Sequence, residues 1–112
     1  MRTEGTFGVE QTTEPDGAVR LKLRGELDHS ASEVLASAIA RQKAARDPAI
    51  LDLSELEFID SSGVRVIVVA VRDARQDSWP LEVEKRLSWQ VQRVFDVLGL
   101  GAVLWPEASG DG

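Results

Sequence analysis

Cysteine is missing from all 112 residues, and histidine occurs once, at position 29. Without cysteine there is no disulfide framework, no thiolate metal site and no cysteine nucleophile, which suits a reducing compartment. Long hydrophobic runs are missing as well. The longest, Val66 to Val71, falls far short of the roughly 20 apolar residues that a bilayer-spanning helix needs. Met1-Arg2-Thr3-Glu4-Gly5 shows no apolar leader. Membrane insertion is not expected, and a cytoplasmic location is.

Positive charge is scarce. Thirteen Lys and Arg against nineteen Asp and Glu leave a formal net charge of −6, which argues against nucleic acid or an anionic membrane as the partner of the whole molecule. A partner with a basic surface fits better. A glycine-rich phosphate loop is also absent. Gly5-Thr6-Phe7-Gly8 precedes a strand instead of following one, and no lysine–serine pair completes a P-loop. No nucleotide or other cofactor is expected, and no autonomous kinase or NTPase activity.

With a single histidine, the catalytic possibilities narrow. His29, Asp28, Asp60 and Ser62 could be drawn as a hydrolytic triad, but Asp60 stands where a nucleophile elbow requires a small residue. His29 with Asp28 and Asp60 lacks the further nitrogen or sulfur ligands of a metal site. The chain does not read as an enzyme.

What is present reads as one α/β domain over 1–112, with its core at about 6–105 and a flexible tail at 106–112. Phe7 to Thr12 is a first strand, Glu14-Pro15-Asp16-Gly17 a turn, and Val19 to Arg24 a second strand. Its strict alternation sets Val19, Leu21 and Leu23 opposite Arg20, Lys22 and Arg24, so residues 7–24 form an antiparallel hairpin. Gly25 to His29 reads as a connector. Ser30-Ala31-Ser32-Glu33 has capping-box spacing and opens a helix to about Ala45, with Val34, Leu35, Ala38 and Ile39 as its buried stripe. Ala49 to Leu53 is a central strand.

The stretch Phe58-Ile59-Asp60-Ser61-Ser62-Gly63 organises the second half of the chain. Residues 63–75 carry β-branched residues, yet Val64, Ile67, Val68 and Val71 fall at helical spacing. A helix is predicted, because a parallel strand at Pro80 to Arg86 needs a crossover. Val66, Val69 and Ala70 then either face a neighbouring helix or form an exposed patch. Ser88 caps a further helix with Val91, Val94, Phe95 and Leu98 on one face, and Gly99 ends it. Val103-Leu104-Trp105 is predicted as a short last strand. Trp105 reads as core, whereas Trp79 and Trp89 flank a strand as edge packing or as exposed anchors. The fold class is a mixed sheet, hairpin first and then parallel strands joined by βαβ crossovers, packed by helices.

At the start of the predicted second helix, the two serines lie where backbone N–H groups and the helix dipole favour an anion. Asp60 or Ser61 also reads as an ordinary N-cap.

Gly25-Glu26-Leu27-Asp28 before a helix, Leu51-Asp52-Leu53-Ser54, Phe58 to Gly63, and Val94 to Leu100 together resemble the anti-sigma factor antagonist family, the STAS domain, over roughly residues 7–105. The resemblance implies a protein-binding module and no catalysis. It implies that an anti-sigma factor with serine-kinase activity binds the unphosphorylated form and phosphorylates Ser62, with Ser61 the runner-up. It further implies that a serine phosphatase resets the switch. Glu26, Asp28, His29, Ser30, Asp60, Ser61, Gly63 and Val64 would form the partner surface of a monomer or weak dimer. The same family also implies an alternative, a non-phosphorylated interaction subunit of a transporter or lipid-transport complex. Two features depart from the family: Asp77-Ser78-Trp79-Pro80 replaces glycines, and a C-terminal helix after Trp105 is missing or vestigial.

Overall fold

The computed structural model describes residues 6–106. Two strands open the fold, β1 (Phe7–Thr13) and β2 (Val19–Leu27), paired antiparallel from Phe7↔Gly25 to Thr13↔Val19. The turn between them closes with the Gly17 N–H donating to the Glu14 carbonyl at 2.9 Å. The remaining elements are α1 (His29–Ala45), β3 (Ala49–Ile59), α2 (Ser61–Gln76), β4 (Leu81–Val83), α3 (Trp89–Leu98) and the single turn α4 (Gly101–Leu104). The sheet order is β1-β2-β3-β4, with β2–β3 and β3–β4 parallel. The crossover helices α1 and α2 pack on each other on one side of the sheet.

Alternation explains the core. Val19, Leu21 and Leu23 of β2 and Ala49, Leu51 and Leu53 of β3 are buried together beneath the helices. On the opposite side, Arg20 bonds Asp52 at 2.9 Å, Glu84 at 2.6 Å and Glu14 at 3.1 Å. Arg24 spans Glu10 and Glu55. Burial pushes the Asp52 carboxyl up, but hydrogen bonds from the Ser54 hydroxyl and amide and from Arg20 outweigh it and hold it below the ordinary carboxylate value.

Several expectations change. Gly25, Glu26 and Leu27 are not a connector. They continue β2 in parallel pairing with Leu56, Phe58 and Ile59, which buries Leu27. Gly25 permits this with a φ of 87°, and a Cβ there would stand 2.0 Å from the Thr6 carbonyl oxygen. Because β2 runs to Leu27, α1 must start at once. Asp28 caps it, the Ser30 capping box does not form, and Ser30 lies inside the first turn. The helix phase is then set by Ala31, Leu35, Ala38 and Ile39, and Val34 is 55% exposed.

In α2 the buried residues are Gly63, Ile67, Val71 and Ala74. Val66 and Ala70 pack against the core and face α1 across a groove shared with Ala36, Ile39 and Ala40, while Val69 is exposed. The predicted strand Pro80–Arg86 shrinks to three residues, since after Val83 the chain leaves β3 once the Glu84 N–H has reached the Leu51 carbonyl at 2.9 Å. Leu98 is exposed, whereas Val91 and Phe95 are buried.

Residues 103–105 are not a strand. The Leu100 N–H bonds the Phe95 carbonyl at 3.0 Å and the chain turns into α4. Only the Trp105 indole N–H reaches the outer edge of β4, at the Val83 carbonyl, 2.6 Å away. Trp79 is buried with its indole N–H on the Asp47 carbonyl at 2.8 Å, which holds Ser78 at a left-handed φ of 54° where a glycine would sit freely. Trp89 is 69% exposed. Apart from Pro106, the expected tail 106–112 lies outside the described residues.

Candidate functional site

Two neighbouring parallel strands that end level must release their helices side by side. Leu27 of β2 and Ile59 of β3 are register partners. The Asp60 N–H donates to the Leu27 carbonyl at 3.2 Å and ties the two ends together. Each strand is followed by an aspartate in extended conformation, Asp28 and Asp60, and each aspartate caps the helix that begins there. The result is one surface at the carboxyl end of the sheet, built from two first turns.

At the second junction the cap is dense. Asp60 Oδ1 accepts from the Ser62 N–H at 2.9 Å, the Gly63 N–H at 3.1 Å and the Ser62 hydroxyl at 2.6 Å. The Val64 N–H goes to the Asp60 carbonyl at 3.0 Å. The Ser62 hydroxyl bond holds the Asp60 carboxyl below the ordinary carboxylate value. Burial opposes this, while the Gly63 and Ser62 amides and the nearby His29 reinforce it. Asp60 is therefore ionised at neutral pH, and the Ser62 hydroxyl is oriented by it.

At the first junction Asp28 Oδ1 accepts from the Ala31 N–H at 3.0 Å and the Ser30 hydroxyl at 3.1 Å.

The structure brings all the sequence-derived candidates to this one end, in different settings. Ser61, His29 and Ser30 are exposed, while Ser62, Asp60, Asp28, Glu26 and Val64 are half-buried. Gly63 faces inward. A Cβ there would lie 2.6 Å from Leu27 Cγ and 3.0 Å from Ile59 Cγ1, so glycine is what lets α2 settle onto β2. Its place is in the packing beneath the surface.

Ser61, Ser62 and Val64 line an open cleft of about 470 Å³ together with Arg65 and Val68. Arg65 and Val68 were missed in the sequence, although their spacing of four and seven residues from Ser61 puts them on one side of the helix with it. Phe58, the register partner of Glu26, is also exposed here. Among the described residues no group of three or more His, Asp or Glu side chains could hold a metal ion. No helix there is long and apolar enough to cross a membrane.

Comparison with known proteins places this arrangement. An anti-sigma factor antagonist from Mycobacterium paratuberculosis superposes with a TM-score of 0.76 over 94% of this chain and 88% of its own, at 19% identity, which speaks for the fold. The Bacillus cell fate determinant SpoIIAA in its phosphorylated form matches with a TM-score of 0.62 and 28% identity over 86% of both chains. The anti-sigma factor antagonist SpoIIAA in its unphosphorylated form gives 0.60 and 27% over 81% of this chain and 82% of that one. A family model described as "Mlab, STAS domain" matches residues 10–105, and the chain belongs to the STAS-domain family.

Proposed function

We propose that this protein is a cytoplasmic anti-sigma factor antagonist whose docking onto an anti-sigma factor with serine-kinase activity is controlled by phosphorylation of Ser62. The observation that carries the reading is the Ser62 hydroxyl, half-buried at the first turn of α2 and held at 2.6 Å from the ionised Asp60. A relative 28% identical exists in a phosphorylated form. In the transfer, an Oγ–P bond forms as the bond from the γ-phosphorus to ADP breaks. The hydroxyl proton passes to a base, and Asp60 Oδ1 is positioned to accept it. A serine phosphatase would reverse the modification.

The effect belongs to the surface. A phosphate adds about −1.5 to −2 charges beside Asp60, with Asp28 and Glu26 on the neighbouring strand end. A partner fitted to the neutral hydroxyl, with its own Arg or Lys facing these acids, meets an added dianion that must be desolvated. Glu26, Asp28, His29, Ser30, Ser61 and Val64 supply the rest of the docking surface, and Gly63 supports it from below. Ser61 is the alternative acceptor, more exposed but without the bond to Asp60.

Incubation with the candidate anti-sigma kinase and ATP, followed by phosphosite mapping, should place phosphate on Ser62 in the wild type and none there in Ser62→Ala. Ser62→Asp should lose capture of the kinase while its far-UV CD melt stays within a few degrees of wild type. Unfolding of Ser62→Asp would sink the surface account. Absence of phosphate on either serine, with the chain instead retained in a transporter or lipid-transport assembly, would favour a non-phosphorylated interaction subunit.

A further inference from the structure

We infer that Arg65 is a clamp for the phosphoryl group on Ser62, so that the modified serine is held inside the Ser61–Val68 cleft by a residue of its own helix. This rests on Ser62 being the modified residue and adds what receives the modification. The helix terminus itself is not open to a phosphate. Asp60 already takes the Ser62 and Gly63 N–H groups, and the Val64 N–H is spent on the Asp60 carbonyl. A dianion on Ser62 Oγ therefore starts out against a carboxylate and needs a cation elsewhere.

Arg65 is that cation. It stands three residues along α2, where Cβ atoms are about 5–6 Å apart, and helical side chains lean toward the N-terminal turn. It lines the same cleft as Ser61 and Ser62. The Arg65 side chain is exposed and makes no hydrogen bond or ion pair with any described residue, so no existing contact has to break. Arg20, Arg24 and Lys43, by contrast, are all engaged by carboxylates. Val64 and Val68 on the cleft wall provide an apolar flank, against which a bidentate guanidinium–phosphate contact is strengthened.

The neighbouring helix supplies an internal control. Ser30 occupies the same position in α1 as Ser62 in α2, with its hydroxyl on the capping Asp28. Three residues beyond Ser30 stands Glu33, where α2 has Arg65. The local charge at the two serines is opposite, and only Ser62 is complemented.

The test installs phosphoserine at position 62 by genetic encoding, with position 30 as control, each carrying Arg65, Arg65→Lys or Arg65→Gln. The second ionisation of the phosphate is followed by phosphorus NMR. Asp60 on the cap, Glu26 and Asp28 at the end of β2 and His29 from α1 also lie beside the group; the three acids are the same in every arm, and the series is run in a His29→Gln background to remove the imidazole titration. With Arg65 the phosphate at 62 should ionise about half a unit lower than with Arg65→Gln, and Arg65→Lys should recover part of the difference. About 1 M salt should erase it. The phosphate at 30 should not respond to position 65. Identical titrations for Arg65 and Arg65→Gln would overturn the clamp. Because the phosphate is installed without a kinase, failure of a kinase to modify Ser62 would sink the functional reading and leave this result standing.

Discussion

The two strand-to-helix junctions of this molecule share a plan and differ in tightness. Leu27-Asp28-His29-Ser30-Ala31 and Ile59-Asp60-Ser61-Ser62-Gly63 leave adjacent parallel strands in register, and an aspartate caps each helix. At the first, Asp28 accepts one backbone N–H, Ser30 is exposed, and the third helical residue is a buried alanine. At the second, Asp60 accepts two, Ser62 is half-buried with a shorter hydroxyl bond, and the third helical residue is a glycine pressed onto Leu27. The missing Cβ is the source of the difference. It lets α2 approach β2 closely, draws Ser62 under the surface and gives Asp60 its full set of donors. A serine at the start of a helix is common. One locked to an ionised cap beside a cleft is a more specific object.

The comparison can be broken at its largest element by exchanging the third residues. Gly63→Ala forces a methyl against Leu27 Cγ and should cost about 1–3 kcal/mol in urea unfolding, whereas Ala31→Gly meets no clash and should lose a buried methyl and backbone entropy, about 1–2 kcal/mol. A Gly63→Ala protein as stable as wild type would mean that the second junction is no tighter than the first. Next come the caps. Asp60→Ala should lose about 1–2 kcal/mol and Asp28→Ala less, within the usual range for cap removal, because Asp60 serves two amides and a hydroxyl.

Acid titration sharpens the same point with a smaller effect. The folded-state value of Asp60 is depressed, so its contribution is full above the ordinary carboxylate value and is lost as pH falls through the depressed one. In Asp60→Asn the acid loss of stability should be shallower than in wild type, read from melting temperature against pH. Parallel curves would remove Asp60 from the acid limb. Smallest of all, Trp89→Ala, outside both junctions and 69% exposed, should change stability by no more than about 0.5 kcal/mol.

Much of this was readable from residue order. Alternation in Val19–Arg24 set the hairpin and its buried face, and the helical spacing of Ile67 and Val71 overrode the strand preference of their valine neighbours. The Asp-Ser-Ser-Gly stretch, in its place after the central strand, pointed to the family and to a helix start with both serines in its first turn. Errors gathered where pairing partners decide. Gly25–Leu27 looked like a linker because a glycine and a glutamate hide a strand that its pairing with Phe7 on one side and β3 on the other stabilises. Ser30–Glu33 had good capping-box spacing but lost to Asp28, since the longer strand moved the helix start. Val103–Trp105 had strand composition but only a three-residue edge strand beside it.

By itself the amino-acid order determined most of the element types, the hairpin followed by βαβ crossovers and the presence of hydroxyls beside an acid at a helix start, because local periodicity and capping act over a few neighbouring residues. Only the tertiary structure decided that Leu27 and Ile59 end level and that Gly63 rests on Leu27. Those relations depend on strand register and on how closely a helix can approach a sheet, and both are set by contacts between residues far apart in the chain.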